Sequence, residues 1–145
     1  MAGAPSSPSS ARASTKVLLD TNFLLLPFQR RIDIFHEIER LVGGRVEFVV
    51  LSQVLDEIHQ LAENGPPKNR RAAASALELV VTKCQTAAAA STQTRDLKAD
   101  DALLRYASQI KGVVATNDQE LRHALVKQGS RAIFLRKLAF LAMTE

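Results

Sequence analysis

The sequence has one cysteine, no tryptophan and no long apolar run. With Cys84 alone, an intramolecular disulfide and a cysteine-based zinc site are both excluded, which favours a reducing, cytoplasmic setting. The apolar runs fall short of the roughly 18 residues that a membrane-spanning helix needs, so we expect no membrane association. With no Trp and one Tyr, a platform for stacking nucleic-acid bases is not expected.

Charge and composition are those of an ordinary globular protein. The chain has 145 residues, of which 46% are hydrophobic, so we expect one domain with a real core. Its 19 Lys and Arg residues exceed its 15 acidic residues, giving a formal charge of +4. This excess is compatible with a polyanionic partner but does not require one. Residues 1–15 are rich in Ser, Ala and Pro, and we interpret them as a disordered tail before a single domain at 16–145.

Apolar runs alternate with amphipathic segments along the rest of the chain. Short apolar runs predict strands at 16–20, 45–51, 112–118 and 131–136, the last of these being the final strand. Helical spacing predicts helices at 30–42, 52–64, 68–84, 100–110 and 119–128. We expect Gly43 and Gly44 to end the first helix, Ser52 to cap the second, and 85–98 to form a loop. This alternation predicts an α/β fold, a three-layer α/β/α sandwich with a central parallel sheet.

Acidic residues follow two of the predicted strands. Asp20 stands between the apolar halves of VLLDTNFLLL (17–26), and Asp118 ends the similarly built stretch ATND. In open parallel sheets, ligands bind outside the carboxyl ends of the strands, where the strand order reverses. Two acids at such ends are therefore expected to converge. Each acid alone is equally well explained as a helix cap, and that alternative stays open.

Two predicted helices add further acids. Glu57 falls at the margin of the buried stripe of its helix, whereas Asp56 and His59 are expected at the surface. In ADDALLRYA, Asp100 lies nearly in line with the inner face and Asp101 is displaced from it by roughly a quarter turn. Carboxylates that converge need protonation, a cationic partner or a divalent cation. A ligand set of hard oxygens suits Mg²⁺ or Mn²⁺.

Four of these segments resemble the motifs of the PIN-domain ribonuclease family. The motifs are VLLDTNFLL, VLDEI, ADDALLRYA and VVATND, in this order, within a match that covers residues 16–136. The double acid and the closing IFLR are most similar to the rRNA-processing PIN proteins of archaea and eukaryotes, with VapC-type toxins next. The resemblance implies a central parallel sheet with a metal-dependent nuclease site at one edge. The metal-binding acids would be Asp20, Glu57, Asp100 or Asp101, and Asp118, supported by Asn22, Thr116 and Asn117.

The hypothesis that follows is a metal-dependent endoribonuclease. One or two Mg²⁺ or Mn²⁺ ions would activate a water for in-line attack on an RNA phosphodiester. Basic residues would hold the RNA backbone, although the start of a solvated helix explains part of them equally well. These residues are Lys68, Arg70, Arg71, Arg30 and Arg31.

Two alternatives stay open beside a processing ribonuclease. The first is a VapC-like toxin that an antitoxin protein controls, and the second is a PIN scaffold that binds RNA or protein without catalysis. Besides RNA, the partners left open are a second copy of the chain, giving a homodimer, and either a ribosome-assembly protein or an antitoxin.

Overall fold

The computed structural model describes residues 14–87, 98–137 and 140–144. Most of the predicted tail at 1–15 and most of the predicted loop at 85–98 lie outside these ranges. Within them the chain forms six strands and six helices. The strands are β1 (Thr15–Leu19), β2 (Val46–Leu51), β3 (Gln85–Ala87), β4 (Val113–Ala115), β5 (Arg131–Arg136) and β6 (Phe140–Met143). The helices are α1 (Thr21–Gln29), α2 (Ile34–Val42), α3 (Ser52–Asn64), α4 (Pro67–Lys83), α5 (Ala99–Ile110) and α6 (Gln119–Lys127).

The strands form one sheet in the order β3-β2-β1-β4-β5-β6. All neighbours pair in parallel except β5 and β6, which are antiparallel. The chain first builds the sheet outward from β1 through β2 to β3, and then returns to the other side of β1 with β4. The strand order therefore reverses between β1 and β4, and the crevice at their carboxyl ends is where such sheets bind ligands.

The helices cover both faces of the sheet and complete three layers. Helix α1 packs against α2, α3 and α4, whereas α5 packs against α6 and against β1, β2 and β4. Because crossovers between parallel strands are right-handed, the change of direction after β3 puts α5 and α6 on the face opposite α1–α4. The central strand is consequently apolar on both faces, and Val17, Leu18 and Leu19 are fully buried. The predicted three-layer architecture is confirmed.

Several sequence predictions need correction at the level of single elements. Residues 21–29 form a helix that was not predicted from the sequence. This segment has no amphipathic period, because residues 23–26 are buried on every side. Helix α2 begins only at Ile34, after the cap residue Asp33. Residues 131–136 are not the final strand, because β6 follows them, and β3 occupies 85–87 within the predicted loop. Gly43 ends α2 in the left-handed conformation as expected, but Ser52 does not cap α3; its hydroxyl bonds the Gln53 side chain instead.

No helix among the described residues is long and apolar enough to span a membrane.

Candidate active site

Asp20 lies at the carboxyl end of the central strand and is almost completely buried, with 4% of its surface exposed. It is the N-cap of α1: its Oδ1 accepts a 2.8 Å hydrogen bond from the Thr21 backbone N–H. Its Oδ2 accepts a 2.6 Å bond from the Thr116 hydroxyl, on the neighbouring strand end. Asp20 is therefore both a helix cap, through one oxygen, and a residue that faces the end of β4, through the other.

The segments after β1 and β4 are tied together by their polar side chains. Asn22 Oδ1 accepts a 3.2 Å bond from the Asn117 backbone N–H, and Asn117 Oδ1 accepts a 2.9 Å bond from Leu135 N–H on β5. The buried Thr116 hydroxyl, besides donating to Asp20, accepts a 3.1 Å bond from Asp118 N–H. These bonds hold the ends of β1, β4 and β5 in one arrangement, which fits the predicted supporting role of the three polar residues.

Asp118 is the N-cap of α6. Its Oδ1 accepts hydrogen bonds from the backbone N–H groups of Glu120 (2.9 Å) and Leu121 (3.1 Å). The carboxylate is half-buried and leaves Oδ2 without a hydrogen bond to a described residue. A helix cap therefore fixes Asp118 at the rim of the sheet while one of its oxygens stays available.

Glu57 reaches the same rim from α3. Its Oε1 accepts a hydrogen bond from the Thr21 hydroxyl, next to Asp20. Glu57 and Thr21 also line a groove of about 580 Å³ that runs along α3 to Asn64 and Gly65. We call this the α3 groove. Asp56 also lines the α3 groove. Asp56 and His59 are both exposed, as predicted.

Asp100 and Asp101 begin α5 but face different surroundings. The pKa of Asp100 is raised by partial burial and by the charges of Asp118, Glu57, Asp101 and Glu120, in that order. Asp101 lines a separate groove with Leu104 and Arg105 along the outer side of α5. Of the tandem pair, Asp100 is therefore the residue that the other acids act on most.

Electrostatic coupling joins the four predicted acids. Burial raises the pKa of Asp20 from 3.8 to about 6, against the opposing hydrogen bonds from Thr116 and Thr21. The charges of Asp100 and Glu57 raise that pKa further. Because Asp118 and Glu57 also raise the pKa of Asp100, acids from β1, α3, α5 and the end of β4 share one local field.

The donor chemistry of this cluster fits a hard divalent cation. Its members offer only carboxylate oxygens. Burial, and after it the charges of neighbouring acids, raise the pKa values of Asp20 and Asp100, and a bound cation would favour their charged forms. As they stand, no three acidic, imidazole or thiol side chains among the described residues form a ready ligand set. Both oxygens of Asp20 are engaged by protein donors. Glu57 and Asp100 are exposed, so a change of rotamer is open to them.

The basic residues predicted to hold RNA are all exposed. Lys68 and Arg71, in the first turns of α4, line one groove beside Phe28, and Arg31 lines an adjacent groove. Arg30 and Arg70 line neither of these two grooves. Lys68 and Arg71 thus share one groove, and Arg31 lines the groove on the other side of Phe28.

Two residues at the rim were not predicted from the sequence. Thr21 supplies a backbone N–H to Asp20 and a hydroxyl to Glu57, and its position directly after Asp20 in DTN is the only signal that could have indicated it. Glu120 contributes to the raised pKa of Asp100. As an acid in the first turn of α6 it is indistinguishable, in the sequence, from an ordinary dipole-stabilising residue.

Comparison with known proteins gives results that agree with this geometry. Residues 17–138 match a family model described as PIN like domain. The chain is 32% identical over 123 residues to Ribonuclease VapC4 of Methanocaldococcus jannaschii, a match that covers 84% of this chain and 91% of that protein.

Solved structures show the same fold at lower sequence identity. The PIN domain endonuclease Utp24 superposes with a TM-score of 0.71 at 21% identity, over 88% of this chain and 90% of that one. VapBC2 from Rickettsia felis, bound to a DNA fragment from its promoter, gives a TM-score of 0.56 at 15% identity, over 75% of this chain and 92% of that one.

Proposed function

The chain belongs to the PIN like domain family, and from this premise we propose that it is a metal-dependent endoribonuclease that hydrolyses RNA phosphodiesters. The observation that carries the proposal is the buried carboxylate of Asp20 at the point where the strand order reverses, with its pKa raised to about 6. A buried carboxylate with a raised pKa, coupled to other acids at a ligand-binding edge, is typical of a functional site. The name of Ribonuclease VapC4 supports RNA as the substrate.

The residues that would hold Mg²⁺ or Mn²⁺ are the four coupled acids Asp20, Glu57, Asp100 and Asp118. A divalent cation bound there would supply charge stabilisation for the phosphodiester undergoing hydrolysis and lower the pKa of the attacking water. Thr116 and the Thr21 N–H orient the two oxygens of Asp20, so that this carboxylate needs no rearrangement during the reaction. The Thr21 hydroxyl holds Glu57 at the same rim, from which a change of rotamer would bring its carboxylate to the cation.

Two Asp→Asn variants test the assignment as a matched pair. Asp20→Asn keeps an oxygen to cap α1 but removes the charge, and we expect it to fold and to lose metal-dependent cleavage of pooled cellular RNA. The control is Asp33→Asn, because Asp33 also caps a helix by accepting from a backbone N–H, that of His36, but is not one of the coupled acids. Full activity of Asp20→Asn with Mg²⁺ or Mn²⁺ would refute the proposal.

The third acid is tested by the tandem pair itself. Since Asp100 is coupled to Asp118 and Glu57 while Asp101 lines a separate groove, we expect Asp100→Asn to lose cleavage and Asp101→Asn to retain most of it. The reverse result would move the role to Asp101.

A VapC-like toxin is the second candidate, and the 32% identity to Ribonuclease VapC4 favours it. The chemistry would be the same, under the control of an antitoxin protein. Growth arrest on expression of the wild type but not of Asp20→Asn would support this role, and normal growth would favour a processing enzyme, with pre-rRNA as the substrate that we predict. For either role we expect action in the cytoplasm. Absence of saturable Mn²⁺ binding would instead favour a scaffold without catalysis.

A further inference from the structure

Phe28 is an exposed aromatic side chain at the end of a buried helix. It follows the buried residues 23–26 of α1 and is 41% exposed. A single exposed apolar side chain is ordinary in proteins, so the argument rests on what surrounds the ring.

The ring of Phe28 stands between two grooves lined by cations. One groove, of about 520 Å³, is also lined by Lys68 and Arg71 of α4 and contains no acidic residue. The other, of about 410 Å³, is lined by Arg31 and Lys83 together with Asp33. None of these four cations forms a salt bridge within the described residues. A polyanion therefore complements these four cations, which share the two grooves with a single acid, Asp33, whereas an apolar peptide would offer them no counter-charge.

The groove that Phe28, Lys68 and Arg71 line, which we call the Phe28 groove, adjoins the elements that carry the acidic site. Asp20 is the N-cap of α1, and the eight residues from Asp20 to Phe28 span about 12 Å along a helix axis. On the other side, the α3 groove, which Thr21 and Glu57 line, ends at Asn64 and Gly65. Two residues further along the chain, Pro67 and then Lys68 line the Phe28 groove. An RNA strand bound at the acidic residues can thus reach the Phe28 ring within a few nucleotides.

We propose that Phe28 stacks on an unpaired base of the RNA, with Lys68 and Arg71 neutralising the adjacent phosphates. The inference rests on the proposed function and adds to it a position that contacts a base. A ring at the surface can meet the face of a base only where that base is free of a duplex stack. A stacking ring was not expected from the scarcity of Trp and Tyr, and here a phenylalanine would supply it.

The absence of tryptophan from the chain makes a direct test available. In the Asp20→Asn background, which prevents cleavage, Phe28→Trp introduces a single fluorophore at the proposed contact. We expect its fluorescence to be quenched by a single-stranded oligoribonucleotide and much less by the same sequence in a perfect duplex. The matched control is Phe140→Trp, because Phe140 is 64% exposed on β6 and lines neither of the two grooves. Equal quenching at both positions, or none at position 28, would overturn the proposal.

Affinity measurements separate stacking from apolar contact. Removing one base–aromatic stack weakens binding roughly five- to hundredfold, so we expect that loss for Phe28→Ala and most of it for Phe28→Leu, with Phe28→Trp close to wild type. Thermal unfolding of each variant verifies that it is folded. Full affinity of Phe28→Leu would indicate an apolar docking surface, such as one for a protein partner, and would overturn stacking.

The two proposals fail in different ways. Metal-dependent cleavage by the wild type, with binding that does not depend on Phe28, would reject the stacking role and leave the nuclease proposal intact. Fluorescence quenching and Phe28-dependent RNA binding, without any cleavage by the wild type, would reject the nuclease proposal and leave the stacking role intact.

Discussion

Replacing Asp20 by Asn is expected to stabilise the metal-free protein at neutral pH, even though it removes the central acid of the site. The folded protein raises the pKa of Asp20 from 3.8 to about 6, so the folded state binds this proton more tightly than the unfolded state does. The stability of the wild type therefore falls as the pH rises from 3.8 to about 6, and the penalty is complete above that range.

The size of the stabilisation by Asp20→Asn follows from the shift in the pKa of Asp20. A rise from 3.8 to about 6, at about 1.36 kcal/mol for each pKa unit, gives a penalty of about 3 kcal/mol at pH 7. The variant escapes this penalty but weakens the bond from Thr116, which costs about 1 kcal/mol at every pH. The net gain at pH 7 is then about 2 kcal/mol, and it should disappear near pH 4.

Urea unfolding in the presence of a chelator, at pH values from 4 to 7.5, measures this difference between the two proteins. The pH dependence of the difference is the test, because the contributions of other titrating groups largely cancel in it. Asp33→Asn serves as the control, since Asp33 caps α2 from an exposed position and should show no comparable trend. A difference between wild type and Asp20→Asn that stays constant over this range would refute the reasoning. Added Mg²⁺ or Mn²⁺ should stabilise the wild type and not the variant.

Three further predictions concern the residues around this carboxylate and the basic cluster of α4, defined as Lys68, Arg70 and Arg71. Thr116→Val leaves Asp20 Oδ2 and the Asp118 N–H without their partner, so it should cost about 1–3 kcal/mol and, in the chelator series, move the titration of Asp20 above pH 6. Asp118→Ala removes two capping bonds and should lower the free energy of unfolding by about 1 kcal/mol more than Asp118→Asn; equal stability of the two variants would contradict the cap. Alanine at all three positions of the basic cluster should weaken RNA binding evenly across sequences and reduce the salt slope of log K by about 2, as measured by a salt titration of binding. The control changes three exposed cations at the amino edge of the sheet, Lys111, Lys127 and Arg131, and should leave the slope unchanged.

The sequence predicts those parts of the fold in which the apolar residues follow one recognisable pattern. The runs around Val17–Leu19 and Val113–Ala115 are buried on both faces, and a short continuous apolar run next to amphipathic helices is typical of a parallel strand. Helix α1 has no such signal, because its residues 23–26 are buried on every side. Strand β3 is the three-residue stretch QTA, which has no apolar run to indicate it, and β6 has only the four residues FLAM.

The residues of the candidate site likewise divide into those that the sequence predicts and those that it does not. Asp20 and Asp118 are predictable because they end strands, and the advance of about 100° per residue in a helix favours Asp100 over Asp101. The bond from Thr21 to Glu57 joins residues 36 positions apart and depends on how α1 and α3 pack. No local pattern encodes that packing, so Thr21 could not be identified as part of the site.

The hydrogen bond between Thr116 and Asp20 spans 96 positions of the chain, so the proposed activity would depend on completion of the fold. A fragment that stops before β4 contains Asp20, Glu57 and Asp100 but neither the hydroxyl that orients Asp20 nor the fourth acid, Asp118. On the proposed function, we therefore expect interrupted synthesis, or removal of β4 and the residues after it by a protease, to yield a piece whose cutting centre is incomplete and which spares cellular RNA.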